Sequence, residues 1–360
     1  MNEALMYSAL RRARKRSRGQ YTIMNEHEQH KAEQQVWDAA ALTYTVGEDE
    51  EGILLRTVMI SRLKMSRRLI TRLKQMPEGI TVNGERLWNH KPLSAGDVVR
   101  IRIAEPQLET IPPEPIPIEV LYEDADILVL NKPPGIVVHP TKGYPSGTLA
   151  NGVVHYWRSK GEQTRFRPVH RLDQDTSGVL LIAKHAFAHQ QLSEQLQANE
   201  VHKRYTAFVC GIPSPVKGTV DAPIDRDDVE RHLRVVRPDG YPSITHYETM
   251  ATYQLNSGIQ AAKVRCVLET GRTHQIRVHM KHIGCPLIGD RFYNTEPDQP
   301  LRLTRHALHA GELSFLHPMT GERLQFEAAL PEDLSKLEDW LKSPDNSCQS
   351  EDIVNGNIVD

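Results

Sequence analysis

The chain has 360 residues, 39% of them hydrophobic and 25% charged, and a formal charge of −2, the composition of a globular protein long enough for two or three domains. No apolar run approaches the length of a membrane span, and the four cysteines, Cys210, Cys266, Cys285 and Cys348, form no C-x-x-C pair, which argues against a zinc ribbon or a disulfide framework. A reducing cytoplasm and no membrane partner are therefore expected.

Residues 1–41 are polar and unpatterned, with a basic cluster from Arg11 to Arg18 that no apolar segment follows, and read as a disordered tail. From Arg56 to Lys74 the chain carries Arg56, Arg62, Lys64, Arg67, Arg68, Arg72 and Lys74 without one acidic residue, a local basic surface in a balanced protein. Apolar residues at Ile60, Leu63, Leu69 and Leu73 predict two short helices interrupted near Met65–Ser66. Alternation around Asn83-Gly84 then predicts a hairpin, and Ala95-Gly96-Asp97 a further turn.

This run of SRLKMSRRLITRLK, ITVNG, KPLSAGD and VVRIRI resembles the small RNA-binding module of ribosomal protein S-four, and the resemblance sets a module at 42–104. Basic side chains on one face of paired helices suit the phosphates of a folded RNA, although a charge run can also be only a solvated face. Five prolines between 104 and 117 exclude a helix or central strand, so 105–117 reads as a semi-rigid connector. A second domain is expected over 118–342, opening with two strands about the acidic turn of IEVLYEDADILVLNK, and 343–360 reads as a disordered tail.

The stretch PVHRLDQDTSGVLLIAK (168–184) joins a polar turn to an apolar run of buried-strand type. Such a junction holds Asp173 and Arg171 at a rigid edge, where a carboxylate can serve as nucleophile or, more simply, as half of an ion pair. Helical spacing over Thr273 to about Ile283, ended by Gly284, makes Ile276, Met280 and Ile283 a buried stripe. His274 and His279 stand five apart, whereas a helical zinc pair stands four apart, so no metal is expected.

HRLDQDTSG resembles the signature loop of the pseudouridine synthases that modify ribosomal and transfer RNA. NKPPGIVVHP (131–140), KRYTAFVCG (203–211), LETGRTHQIRVHMKHIGCPLIGDRFY (268–293) and RHALHAGELSFLHP (305–318) agree in order and spacing. The resemblance implies that Asp173 is the nucleophile, that Arg171 fills the gap left by an extruded uridine, and that Tyr205 stacks on the uracil and helps in proton removal. It also implies that Arg277 pairs with Asp173 and that Ile276 lies under the base. Isomerisation gains and loses no atoms, so no cofactor is expected.

The implied fold class is α+β, a large mixed, mainly antiparallel sheet with flanking helices behind the small helix-pair-plus-hairpin module. The implied partner is RNA, ribosomal in preference to transfer, and the protein is expected to act as a monomer. Two other classes compete. A non-enzymatic RNA-binding or ribosome-assembly protein would use only the basic module, and the intact HRLDQDTSG loop argues against it. A hydrolase lacks a G-x-S-x-G elbow.

Overall fold

The computed structural model describes residues 41–76, 78–86, 90–103, 110–256, 258–294 and 303–343. Except for Ala41 and Ser343, both expected tails lie outside the described residues. Of the proline-rich connector, 110–117 is described and forms neither helix nor strand.

The chain divides into two compact units. The first comprises Met1–Thr110, Tyr156–Arg167 and Lys184–Gln191. It holds strand β1 (Ala41–Thr45), a helical turn at Leu55–Thr57 that widens into a π-helix at Val58–Arg62, helix α1 (Arg67–Lys74), and strands β2 (Ile80–Val82) and β3 (Val98–Arg102). The break between the helices falls where predicted: Ser66 caps α1 by accepting the Leu69 N–H at 3.2 Å. The hairpin expectation is corrected. Asn83 and Gly84 do turn at positive φ, but among the described residues they close a single bridge, Val82 to Glu85. Strand β2 pairs instead with β3, beyond the Ala95-Gly96-Asp97 turn, and β3 lies between β1 and β2. A local turn signal specifies a reversal but not which later segment completes the sheet.

The second unit comprises Ile111–His155, Pro168–Ala183 and Leu192–Asp360. Its strands belong mainly to one ten-stranded sheet. In chain order these are β4 (Glu119–Glu123), β5 (Ile127–Lys132), β6 (Arg167–Pro168), β7 (Ser177–Ala183), β8 (His202–Cys210) and β9 (Lys217–Asp221). A separate small ribbon follows, β10 (Ile224–Arg226) with β11 (Arg234–Val236), and then β12 (Ile244–Gln254), β13 (Gln260–Leu268), β14 (Leu308–Leu316) and β15 (Arg323–Glu327). The spatial order is β4-β5-β7-β14-β8-β13-β12-β9, with β15 on β14 and β6 on β7. Strand β7 runs parallel to β14, while the other long pairings are antiparallel, so the sheet is mixed and mainly antiparallel, as expected.

The further helices are α2 (Leu149–Ser159), α3 (Ala186–Gln197), α4 (Gln275–His282) and α5 (Glu332–Lys342). Strand β7 is buried at all seven positions, which explains its unbroken apolar sequence: both faces of the sheet are covered there. Leu334, Leu337 and Leu341 seat α5 on Phe208, Tyr253 and Ala261 of three strands. Helix α4 differs from its expected single stripe, because every residue from Gln275 to Met280 is buried. The polar residues on its second face each have fixed partners. Gln275 donates to Ile244 O at 2.9 Å, and His279 bonds Thr245 Oγ1 at 2.8 Å and Ala222 O at 2.9 Å.

Candidate active site

Asp173 lies in the loop that feeds β7, and that loop is held by its carbonyls. The buried Lys132, at the end of β5, donates through Nζ to Gln174 O and Pro133 O, both at 2.8 Å. Arg305 donates to Asp175 O at 2.9 Å and is itself gripped by Asp333 at 2.6 and 2.9 Å. Thr176 Oγ1 meets His306 Nε2 at 2.8 Å, and the Thr176 N–H closes a turn on Asp173 O at 3.2 Å. With residues 174, 175 and 176 anchored, the carboxylate of Asp173 is fixed in position. Gly178 permits this closeness. At φ +114° it lies against Ala310, whose oxygen would be 2.2 Å from any Cβ placed there.

These anchors are electrostatically particular. Burial pushes the Lys132 ammonium down to about 7, against the pull of Asp175 and Asp173. Burial, reinforced by Arg277 and Arg305, holds His306 well below the ordinary histidine range, so its ring is neutral around pH 7. Sequence reasoning does not single out Lys132, Arg305 or His306; it reaches only the NKPPG and RHALHAG blocks that contain them.

Arg277 faces Asp173, NH1 to Oδ2 at 3.3 Å, but its shorter bonds go elsewhere. Nε and NH2 grip the two oxygens of Asp290 at 2.7 and 2.8 Å, and the side chain of Asp290 has no exposure. Burial opposes the guanidinium charge, yet the bonds to Asp290 outweigh it and hold Arg277 above its ordinary range. The same Asp290 accepts the Phe292 and Tyr293 N–H groups. Those two rings then stand 5.5 and 5.0 Å from the guanidinium carbon. Arg277 is thus a fixed cation built into the wall, with one edge left for Asp173. Asp290 lies in the LIGDRFY stretch, where only its place within a matched block hints at a role.

His274, which precedes α4, sits at φ +59°, a strained conformation for a residue with a Cβ. Its Nδ1 is 2.8 Å from Tyr293 Oη, and that oxygen already accepts the Arg234 N–H at 2.8 Å. The simplest assignment has the phenol donating to Nδ1, which leaves Nε2–H facing Asp173 Oδ2 at 4.0 Å. Burial lowers the pKa of His274 despite Asp173, so the ring favours its neutral form.

Asp173, Arg277, His274, Tyr205, Ile276 and Arg171 line one cleft of about 1020 Å³. A volume at the upper end of small-molecule pockets suits a nucleotide with flanking backbone. Tyr205 and Ile276 supply buried apolar surface, 7% and 3% exposed, while Arg171 is exposed. Tyr205 therefore suits stacking. Burial and then the Asp173 charge raise its pKa and keep the phenol protonated.

In the first unit, Arg56, Lys64, Arg67, Arg68 and Lys74 are exposed. Arg62 is exposed but ion-paired with Glu50, and Arg72 is half-buried, its charge disfavoured by burial and by Arg167 and Arg165. Away from the cleft, Asp124, Asp126 and His317 cluster within ligand distance. His317 Nδ1 faces the Met319 and Thr320 N–H groups and Nε2 faces Asp124 at 3.0 Å, so the cluster is spent on internal bonds. Among the described residues no helix is long and apolar enough to cross a membrane.

A family model described as RNA pseudouridylate synthase matches residues 126–282. The chain is 44% identical over 266 residues to YlyB of Bacillus subtilis, an uncharacterized RNA pseudouridine synthase, covering 73% of this chain and 86% of that one. It is 41% identical to a ribosomal large subunit pseudouridine synthase D of Yersinia pestis, covering 73% and 83%. The homonymous protein of Escherichia coli O157:H7 is 35% identical, with coverage of 84% and 94%. Among solved structures, human RNA pseudouridylate synthase domain containing 1 superposes with a TM-score of 0.50 at 26% identity, covering 61% of this chain and 86% of that one.

Proposed function

The chain belongs to the RNA pseudouridine synthases, which are isomerases, and from that premise we propose that it acts on large-subunit ribosomal RNA with Asp173 as its nucleophile. The observation that carries the assignment is the carboxylate of Asp173, open to the cleft while its loop is pinned at 174, 175 and 176 and Arg277 faces it at 3.3 Å. In the overall reaction the bond from the ribose anomeric carbon to uracil N1 breaks, the base turns, and the same carbon bonds to C5. C5 loses a proton and N1 gains one, so atoms and charge balance. Asp173 acts on the ribose–uracil linkage, by attack on either ring or by stabilising an eliminated glycal, and the fixed guanidinium of Arg277 favours the charged carboxylate.

The cleft must receive an extruded base, at a cost of a few kcal/mol that an inserted Arg171 would partly offset. Tyr205 and Ile276 then hold the detached uracil between apolar surfaces. The exposed Arg56, Lys64, Arg67, Arg68 and Lys74 serve as phosphate contacts that bring folded RNA to the enzyme. Ribosomal RNA is favoured because the relatives from Yersinia pestis and Escherichia coli are ribosomal large subunit pseudouridine synthases. A cytoplasmic site of action fits the free thiols of Cys210, Cys266 and Cys285.

Mapping pseudouridines in all stable RNAs from cells with and without the gene tests the substrate. One or more large-subunit positions should revert to uridine on deletion. Loss confined to transfer RNA would overturn the ribosomal assignment.

A further inference from the structure

Among the described residues, the buried cations of the second unit have partners, with one exception at the cleft. Arg277 has Asp290, Arg305 has Asp333, Lys132 has two carbonyls, and even the half-buried Lys263 has Glu338. Lys203, 8% exposed, has no hydrogen bond or carboxylate partner among the described residues. Its neighbour Arg204, on the opposite face of β8, is paired with Glu312. Burial of most of the side chain strips part of the water from an ammonium that has no counter-ion, and it lowers the pKa of Lys203. The fold tolerates this at a cleft residue.

Geometry makes the placement informative. Lys203 and Tyr205 are two apart on β8, so both point to one face, about 7 Å from each other along the strand. Lys203 Nζ lies beside the turn at Gly271, 3.7 Å from where a Cβ on that glycine would stand. The carboxylates that share the cleft are occupied: Glu269 is held by His246 at 2.6 Å and Asp173 faces Arg277. The remaining neighbour, His170, is kept neutral by burial and by the charge of Lys203 itself, so it supplies no compensation.

We propose that Lys203 is the anchor for a backbone phosphate adjoining the extruded uridine, positioned so that the ring between Lys203 and Asp173 lies over Tyr205. The inference rests on the reading of this cleft as the uridine site of an RNA enzyme. The missing counter-ion is the substrate, and docking gives the lone, partly desolvated ammonium a charge-assisted bond. Lys203 thereby acts in binding and positioning, distinct from the nucleophile.

The test compares the full-length wild type with Lys203→Met and Lys203→Arg on an unmodified large-subunit transcript containing uridine tritiated at C5. It measures equilibrium binding at several salt concentrations, tritium release and thermal melting. Lys203→Met should raise the half-saturating RNA concentration about tenfold or more, with the larger share of the loss there rather than in the plateau rate. It should also reduce the salt slope of binding by about one phosphate, and its melting temperature should not fall, since a largely buried side chain has lost an unpaired charge. Lys203→Arg should restore most of the affinity. An unchanged salt slope in Lys203→Met overturns the anchor, as does a lowered melting temperature with no rescue by Arg, the signature of a structural lysine. If the wild type releases no tritium, the catalytic reading fails separately, while the binding slope still decides whether Lys203 meets a phosphate.

Discussion

The basic helices of the first unit and the cleft of the second both depend on cations, but they hold them in opposite ways. Arg56, Lys64, Arg67, Arg68 and Lys74 are exposed, whereas Arg277 and Arg305 are buried and each chelated by a carboxylate. Exposed charges act through a summed field that salt screens, so the effects of removing them add. A buried guanidinium with a bidentate partner acts through direction, so removing one partner disturbs its neighbours.

The largest effect expected in that contrast is Asp173→Asn. It keeps the shape and removes the charge, and should lower single-turnover pseudouridine formation by at least about 10³-fold while RNA affinity stays within a few fold. Normal turnover by this variant would remove Asp173 from the chemistry.

Next comes Asp290→Asn, which leaves Arg277 without its chelating charge and lets it swing toward Asp173. A fall of about 10²-fold in rate is expected from the misplacement, together with a lowered melting temperature. Because Asp290 and Asp173 share one arginine, the double variant should be no worse than Asp173→Asn alone in rate. Additive losses would break the picture of a coupled wall.

A smaller effect should appear with pH. His306 is held neutral in the folded protein by burial and nearby cations, but titrates near 6.5 when unfolded. Below that pH the unfolded chain binds the extra proton, so the stability contribution, fully present above about 6.5, is lost as pH falls. Denaturant melts at pH 7.5, 6.5 and 5.5 should show declining stability that His306→Gln partly flattens. Equal slopes in the two proteins would assign the acid sensitivity to other groups.

The smallest effect belongs to the exposed helices. Replacing Arg67, Arg68 and Lys74 by Gln should reduce the salt slope of RNA binding by about one for each phosphate that is no longer neutralised, with stability changed by no more than about 0.5 kcal/mol. Single replacements should sum to the triple. An unaltered slope would leave these charges only a solvating role.

Local pattern is sufficient where local physics decides. The apolar run of β7, the two strands about the Asp124 turn, the helix ended by Gly284 and the cap at Ser66 are all legible in short windows, because burial and backbone geometry act over a few residues. The motif blocks likewise point to Asp173, Tyr205 and Arg277. Tertiary structure alone decides what completes them. Laying β7 parallel to β14 brings Thr176 to His306 and Arg305 to the carbonyl of Asp175, across a sequence separation of 130 residues in each case. The turn after α4 returns Asp290 to Arg277, and α5 brings Asp333 to Arg305. Which buried charge meets which depends on strand order and packing angle, and neither period nor composition encodes those pairings.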